Sequence, residues 1–361
     1  MKENILKLAE ENEMLKNTLE MPENLKNALE KIRIKGQFET EEISNITFVG
    51  MGGSGIIGNI ILDWLEHKIP IPIKVWKDYR LPAYIDSRSL VIAISYSGNT
   101  EEVLSSVIEA IKRKSNIIAI TSNGKLEKLH LKKNFPLIKV PKNFQPREAL
   151  PYLFIAALYA LNQAYKIPSY KKEVKNTIEM LEKIKNQIIK EGRQSTVFKI
   201  ANKIIGKNTV IYTYKPFRGA ALRFKQQLNE NSKQWAKVEI LPEACHNEIV
   251  GWSENEQVYQ NMKVIMIRDR DKLESEVTKA RIEAFKEEIS RKNIEIIEIK
   301  AEGTTTLSRI FSIIYMGDLI SILLALLKGI DPKRIEPITR LKNKLKSVGY
   351  IDEILKEYLQ S

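Results

Sequence analysis

Cysteine occurs once in this 361-residue chain, at Cys245, so no intramolecular disulfide is available and a reducing, cytoplasmic setting is expected. Histidine is almost as scarce. His67, His130 and His246 stand far apart, no two at a metal-ligand spacing, so no metal site is expected. Clustered cation is missing too. The net charge is +13, from 58 basic and 45 acidic side chains, yet the lysines are spread through Lys/Glu-rich stretches such as 171–192 and 272–293. They do not gather beside exposed aromatics, which argues against nucleic acid and describes a solvated surface. Such a surface also suits a thermophile. No uncharged membrane-length run is present: the most apolar stretch, 307–330, is interrupted by Arg309 and Asp318 and reads as a helix buried between other elements. The opening MKENILKLAEENEMLKN is polar and helical in pattern, not a signal peptide.

What is there is an ordinary globular composition, 43 % apolar and 29 % charged, in a chain long enough for two domains. From residue 45 short Val/Ile-rich runs alternate with helical patterns: NITFVG, then IIGNIILDWLEH; IPIKVW; LVIAIS, then EEVLSSVIEAIKRK; NIIAITSNG; FPLIKVP; and the apolar EALPYLFIAALYALNQAY. After a charged helical connector the rhythm restarts with NTVIYTY, AALRFKQQLNENSK, VEILPE, NMKVIMIRDR and IEIIEIKAEG. Strands that are nearly all β-branched, alternating with helices, indicate parallel sheets covered on both faces. The expected fold class is therefore α/β, with two doubly wound parallel-sheet domains, and such sheets bind ligands at the carboxyl ends of their strands. The boundaries drawn are an N-terminal helical extension 1–40, a first domain 41–167, a connector 168–194, a second domain 195–335 and a C-terminal helical tail 336–361.

Two loops of the first domain carry chemistry. Gly50-Met51-Gly52-Gly53-Ser54-Gly55 satisfies G-x-G-x-x-G between a strand and a helix, the pattern of dinucleotide binding. The acid that should end the next strand is poorly placed, because Asp78 comes late and past Trp76-Lys77. A nicotinamide-dependent dehydrogenase is thus one reading. The physics common to both kinds of glycine loop is the other: backbone N–H groups at a helix N-terminus approach an anion.

The second loop, ISYSGNTEEV at 94–103, groups Ser95, Ser97, Asn99 and Thr100 where a helix begins. Hydroxyls and free N–H groups can enclose a phosphate monoester without a fixed cation. The alternative is an N-cap made by Ser97, Asn99 or Thr100, with Glu101 and Glu102 favoured by the helix dipole. One cap needs one such residue, and four are present.

GMGGSG followed by SYSGNTEEV resembles the sugar isomerase (SIS) domain, a doubly wound module that holds phosphosugars through a serine/threonine loop. NENSK at 229–233, LPEACHNEIVGW at 241–252 and PREALPYLF at 146–154 narrow the resemblance to the bifunctional phosphoglucose/phosphomannose isomerases, a branch of the phosphoglucose isomerase superfamily. It covers roughly residues 40–345. The resemblance implies two SIS-type domains. It places Gly52, Gly53 and Ser54 in the first loop and Ser95, Ser97 and Thr100 in the phosphate loop. It implies Arg147 near the reacting carbons, Glu230 as the base and His246 as the ring-opening residue donated by a second subunit. Lys342, in ITRLKNKLK, is matched to a C-terminal lysine.

The activity so implied is interconversion of glucose 6-phosphate and mannose 6-phosphate with fructose 6-phosphate through a cis-enediol, without cofactor or metal, in a cytoplasmic homodimer with its site at the interface. By residue type alone Glu230 reads as a solvated helix glutamate and His246 as an incidental loop histidine; for Arg147 an ordinary surface arginine is the alternative, disfavoured by the adjacent apolar helix. Glu243 is assigned a structural or orienting role. Rival readings are a non-catalytic SIS phosphosugar sensor, which would usually bring a helix-turn-helix that the short, acidic 1–40 does not offer, and another SIS-type sugar-phosphate isomerase.

Overall fold

The computed structural model describes residues 5–35, 42–167, 170–254, 259–270, 273–346 and 348–360; the boundaries drawn at 40/41 and at 168 fall outside them. The chain forms two compact units. One joins Glu23–Tyr170 to the stretch from Ile335 onward, and the other joins the stretch up to Pro22 to Lys171–Arg334.

The first unit holds a six-stranded sheet. Its strands are β1 (Ile34–Lys35), β2 (Asn45–Val49), β3 (Ile73–Trp76), β4 (Ser89–Ile94), β5 (Asn116–Thr121) and β6 (Leu137–Lys139), in the order β1-β6-β5-β4-β2-β3. All neighbours are parallel except the short β1, which pairs antiparallel with β6. Phe48 lies level with Val75 on one side and Ile92 on the other, and Ile92 with Ile118. Every residue of β4 is buried, which is why that strand reads as an unbroken apolar run with no alternation.

Helices cover both faces. Gly58 of α1 (Gly52–Leu65) sits so close to Phe48 that a Cβ there would lie 2.7 Å from the phenylalanine Cβ. On the opposite face Val103, Leu104, Val107 and Ile108 of α2 (Glu101–Lys112) pack with Val49, Val91, Ala93, Ile117 and Ala119. Each fully buried Val, Leu or Ile contributes roughly 1.5–3 kcal/mol. The apolar helix α3 (Leu150–Ala164) adds to the cover. The chain leaves β2 toward β3 and then returns to the other side of β2 for β4. The switch point therefore lies between β2 and β4, where a doubly wound sheet opens a crevice at its carboxyl edge.

The second unit carries β7 (Asn208–Thr213), β8 (Ala236–Ile240), β9 (Met262–Arg268) and β10 (Ile296–Lys300), all parallel, in the order β10-β9-β7-β8. Helix α4 (Arg218–Ser232) follows β7 and packs on α5 (Thr306–Leu327). Between Leu307 and Ala325 every residue of α5 except Arg309 is buried, so this membrane-length helix lies in a protein core. A C-terminal helix, α6 (Glu336–Lys346), belongs to the first unit.

Candidate active site

The switch point between β2 and β4 is formed by the two loops singled out in the sequence. After β2 the chain turns through Gly50 and Met51 into α1, whose first turn is closed by hydrogen bonds from the N–H groups of Ser54 and Gly55 to the Met51 carbonyl, both 3.0 Å. A Cβ on Gly53 would lie 3.1 Å from the Cα of Arg147 and 3.2 Å from the Pro146 carbonyl oxygen. Glycine at 53 is what lets the 146–147 segment close onto the loop.

After β4, Ser95 is fully buried and its Oγ lies 2.8 Å from Thr100 Oγ1. Ser97 Oγ accepts from the Asn99 N–H at 3.3 Å. Gly98 has φ +66, the left-handed region, and its N–H bonds the Ser95 carbonyl. Asn99 does not cap its own helix, because its Oδ1 accepts from Lys125 N–H at 3.1 Å. Thr100 occupies the N-cap position of α2, yet no side chain makes a cap hydrogen bond there. The N-cap alternative is therefore not what these residues do. Ser97 and Thr100 are partly exposed residues at an uncapped helix start, where an anion is favoured by the N–H groups and the dipole. Ser54, in contrast, is buried, and its Oγ accepts from the Tyr96 N–H at 3.2 Å. It joins the two loops.

Arg147 is not a surface arginine: it is 3 % exposed, in the turn before α3. Its backbone lies against Gly53 of the glycine loop, and a guanidinium keeps its charge even when buried. Lys342, on α6 of the same unit, is exposed.

Glu230 and His246 lie in the second unit. Glu230 is half-buried in the last turn of α4, and both flanking asparagines are tied down. Asn229 Oδ1 accepts from Ala236 N–H at 3.2 Å, and Asn231 Nδ2 donates to Ser321 Oγ at 2.9 Å. Lys233 ends α4 in the left-handed conformation, φ +51, and its ammonium donates to the carbonyls of Glu230 (2.8 Å) and Asn231 (3.1 Å). The helix end that carries Glu230 is thus held at three points.

His246 follows a single 3₁₀ turn, Glu243–Cys245, and is exposed. The glutamate two residues on anchors its loop. Tyr212 Oη donates to Glu248 Oε1 at 2.6 Å, Lys237 Nζ to Glu248 Oε2 at 2.9 Å, and Trp252 Nε1 to Tyr212 Oη at 2.8 Å. Burial first, and the neighbouring carboxylate second, push the Tyr212 hydroxyl well above its ordinary pKa, so it remains a donor. Glu243 Oε1 accepts from Asn247 Nδ2 at 2.8 Å. Sequence reasoning assigned no role to Glu248 or Tyr96.

Asp78, the acid a dinucleotide loop would need, is exposed two residues beyond β3 and accepts from its neighbour Tyr79 N–H at 2.6 Å. Among the described residues no group of three or more His, Cys, Asp or Glu side chains is arranged to hold a metal.

The SIS domain profile matches residues 41–134, and the profile of the bacterial phospho-glucose isomerase C-terminal SIS domain matches residues 193–345. A bifunctional phosphoglucose/phosphomannose isomerase of Aquifex aeolicus is 38 % identical over 86 % of this chain and 95 % of its own length. One from Caldicellulosiruptor bescii is 34 % identical over 93 % and 99 %. A D-glucosamine-6-phosphate 4-epimerase of Sulfolobus acidocaldarius is 34 % identical over 62 % of this chain and 69 % of its own. Among solved structures, the C-terminal domain of glucosamine-fructose-6-phosphate aminotransferase from Francisella tularensis superposes with a TM-score of 0.67, at 17 % identity, covering 90 % of this chain and 98 % of that one. A hypothetical protein of Thermus thermophilus gives 0.71 at 12 % identity, over 91 % and 89 %. These last two likenesses concern the fold.

Proposed function

The chain belongs to the bifunctional phosphoglucose/phosphomannose isomerases, and on that premise we propose that it interconverts glucose 6-phosphate and mannose 6-phosphate with fructose 6-phosphate through a cis-enediol. The observation that carries this reading is the uncapped start of α2, with Ser97 and Thr100 partly exposed beside a glycine loop on which the buried Arg147 closes. In the proposal Gly52, Gly53, Ser54, Ser95, Ser97 and Thr100 form the phosphate and sugar cradle. His246 moves a proton between ring oxygen and O1 to open the cyclic hexose. Glu230 then takes the C2 proton and returns it at C1. Arg147 stabilises the enediolate charge as a fixed cation, and Lys342 completes the set. Rotation about C2–C3 of the open chain presents either face to one base, which accounts for both aldoses. The reaction only relocates protons, so no redox cofactor is called for.

The test is direct: with EDTA present, each aldose 6-phosphate should yield fructose 6-phosphate. Glucosamine 6-phosphate epimerised at C4 in place of that product would transfer the assignment to the epimerase relative's chemistry. The five-part division of the chain and a cytoplasmic location are part of the proposal.

Ser97→Ala and Thr100→Ala should each weaken substrate binding by about ten- to a hundred-fold, the worth of a hydrogen bond to a charged group. Raised KM with near-parental kcat is expected, and inorganic phosphate should compete weakly at the same place. A lowered kcat at unchanged KM would remove the phosphate from this loop.

We also propose a homodimer with shared sites, His246 of each chain serving its partner. Mixing inactive Glu230→Gln and His246→Ala proteins should restore about a quarter of parental activity, because half of randomly paired dimers are mixed and each carries one intact site. No recovery after verified subunit exchange would place both residues in one chain's own site.

A further inference from the structure

Tyr96 stands between Ser95 and Ser97 and is 5 % exposed. Its two ends do different things. The backbone end belongs to the loops at the switch point: Tyr96 N–H donates to Ser54 Oγ at 3.2 Å, and its carbonyl accepts from Ser122 Oγ at 2.7 Å. The hydroxyl end reaches the segment that leads to Arg147. Tyr96 Oη donates to the Pro141 carbonyl at 2.8 Å and accepts from Phe144 N–H at 3.0 Å. From there the chain is short and held. Gln145 N–H bonds Glu148 Oε2 at 3.0 Å, the Ala149 N–H bonds the Gln145 carbonyl at 3.2 Å, and the Phe144 ring lies 5.3 Å from that of Tyr152 on α3. Arg147 sits inside this turn, with its Cα against Gly53.

Phenylalanine would fill the same space. What only tyrosine supplies is one O–H that gives and takes at once, satisfying two backbone groups of an irregular segment that has no strand or helix to pair them. Burial pushes that hydroxyl above its ordinary pKa, so it stays protonated and keeps donating.

We infer that Tyr96 is a positioning residue, its hydroxyl strapping the Arg147 turn to the phosphate loop so that the guanidinium stands at a fixed distance from a bound phosphate. The inference rests on the roles proposed for that loop and for Arg147. It makes Tyr96→Phe selective: both backbone links to the loops survive, and only the strap to 141–144 is lost.

The experiment measures binding, so it does not depend on turnover. Two probes are titrated: inorganic phosphate, which needs the loop alone, and the hydroxamate of a five-carbon phosphorylated sugar acid, which places an oxyanion where enediolate charge would develop. For Tyr96→Phe, phosphate affinity should stay within about twofold, while hydroxamate affinity falls roughly tenfold or more, as expected when a charge-assisted contact is misaligned. Arg147→Ala should show the same pattern, and the double variant should be no worse than Arg147→Ala alone, because residues acting through one another are not additive. Equal weakening of both probes by Tyr96→Phe, or additive losses in the double variant, would overturn the positioning role while leaving Arg147 in place. Parental hydroxamate affinity in Arg147→Ala would instead overturn the Arg147 assignment, and the inference with it. Amide exchange on the unaltered protein is a second check that needs no variant to fold: Phe144 N–H should be protected relative to Asn143, and fast exchange there would refute the strap.

Discussion

Glu230→Gln should bind a phosphorylated sugar acid nearly as well as the parent and isomerise at least roughly 10²- to 10⁴-fold more slowly, the range that general-base catalysis supplies. The substitution keeps shape and hydrogen-bonding capacity and removes only the ability to take a proton. Its surroundings favour a clean result. The backbone of the last α4 turn is held by Lys233, Asn229 and Asn231, through contacts that glutamine at 230 leaves alone. Affinity should be little changed because the proposed phosphate cradle lies on β4–α2, in the other unit. Isotope gives a second reading. In D₂O the parent should place deuterium at C2 of glucose 6-phosphate, and the variant should not. A variant that binds normally and isomerises at near-parental rate ends the assignment, leaving Glu243 as the next carboxylate to test.

The parts legible in the sequence are those set by short-range pattern. Strands such as SLVIAI announce themselves because both faces of a parallel sheet are buried, and GMGGSG marks its loop because Gly53 faces another backbone at contact distance. The loop proposed to hold phosphate stands out in the sequence by an excess of hydroxyls over the need of one cap. Partners distant in sequence were not legible. Tyr96 meets Pro141 and Phe144 more than forty residues away, and Glu248 meets Tyr212 and Lys237 on two strands. Neither pairing leaves a local trace. The burial of Arg147 likewise depends on a close approach that residue type opposes. The antiparallel β1, two residues long, and the inclusion of the stretch up to Pro22 in the unit of Lys171–Arg334 come from tertiary packing that no local pattern encodes.

The same limit hid the ion pair on which α4 rests. Arg309 and Asp318 looked like interruptions of an apolar run, but Asp318 is the buried partner of Arg223, with Nη2–Oδ2 at 2.6 Å, Nε–Oδ1 at 3.0 Å and side-chain exposures of 2 % and 3 %. Gln227, one turn along α4, also hydrogen-bonds the carboxylate. A buried pair is weak evidence for added stability, since desolvation offsets much of the attraction, yet removing one partner strands a charge and costs about 3–5 kcal/mol. Asp318→Ala should reach that range, because a guanidinium cannot shed its proton in the core.

Arg223→Met should cost less, for a carboxyl can escape its charge. Burial already acts to raise the Asp318 pKa above its ordinary value; without the arginine it rises further. The neutral acid is then the form the fold prefers. Stability of Arg223→Met should be greatest below the unfolded pKa of about 4 and decline as pH rises through the raised folded value. The double variant Arg223→Met/Asp318→Leu, volume roughly kept and no charge stranded, should recover most of the loss. Urea unfolding of the three variants at pH 4 and pH 7 checks each step. Single substitutions that cost under about 1 kcal/mol, or an Arg223→Met deficit that does not shrink on acidification, would mean the pair is not a buried register pin between α4 and α5.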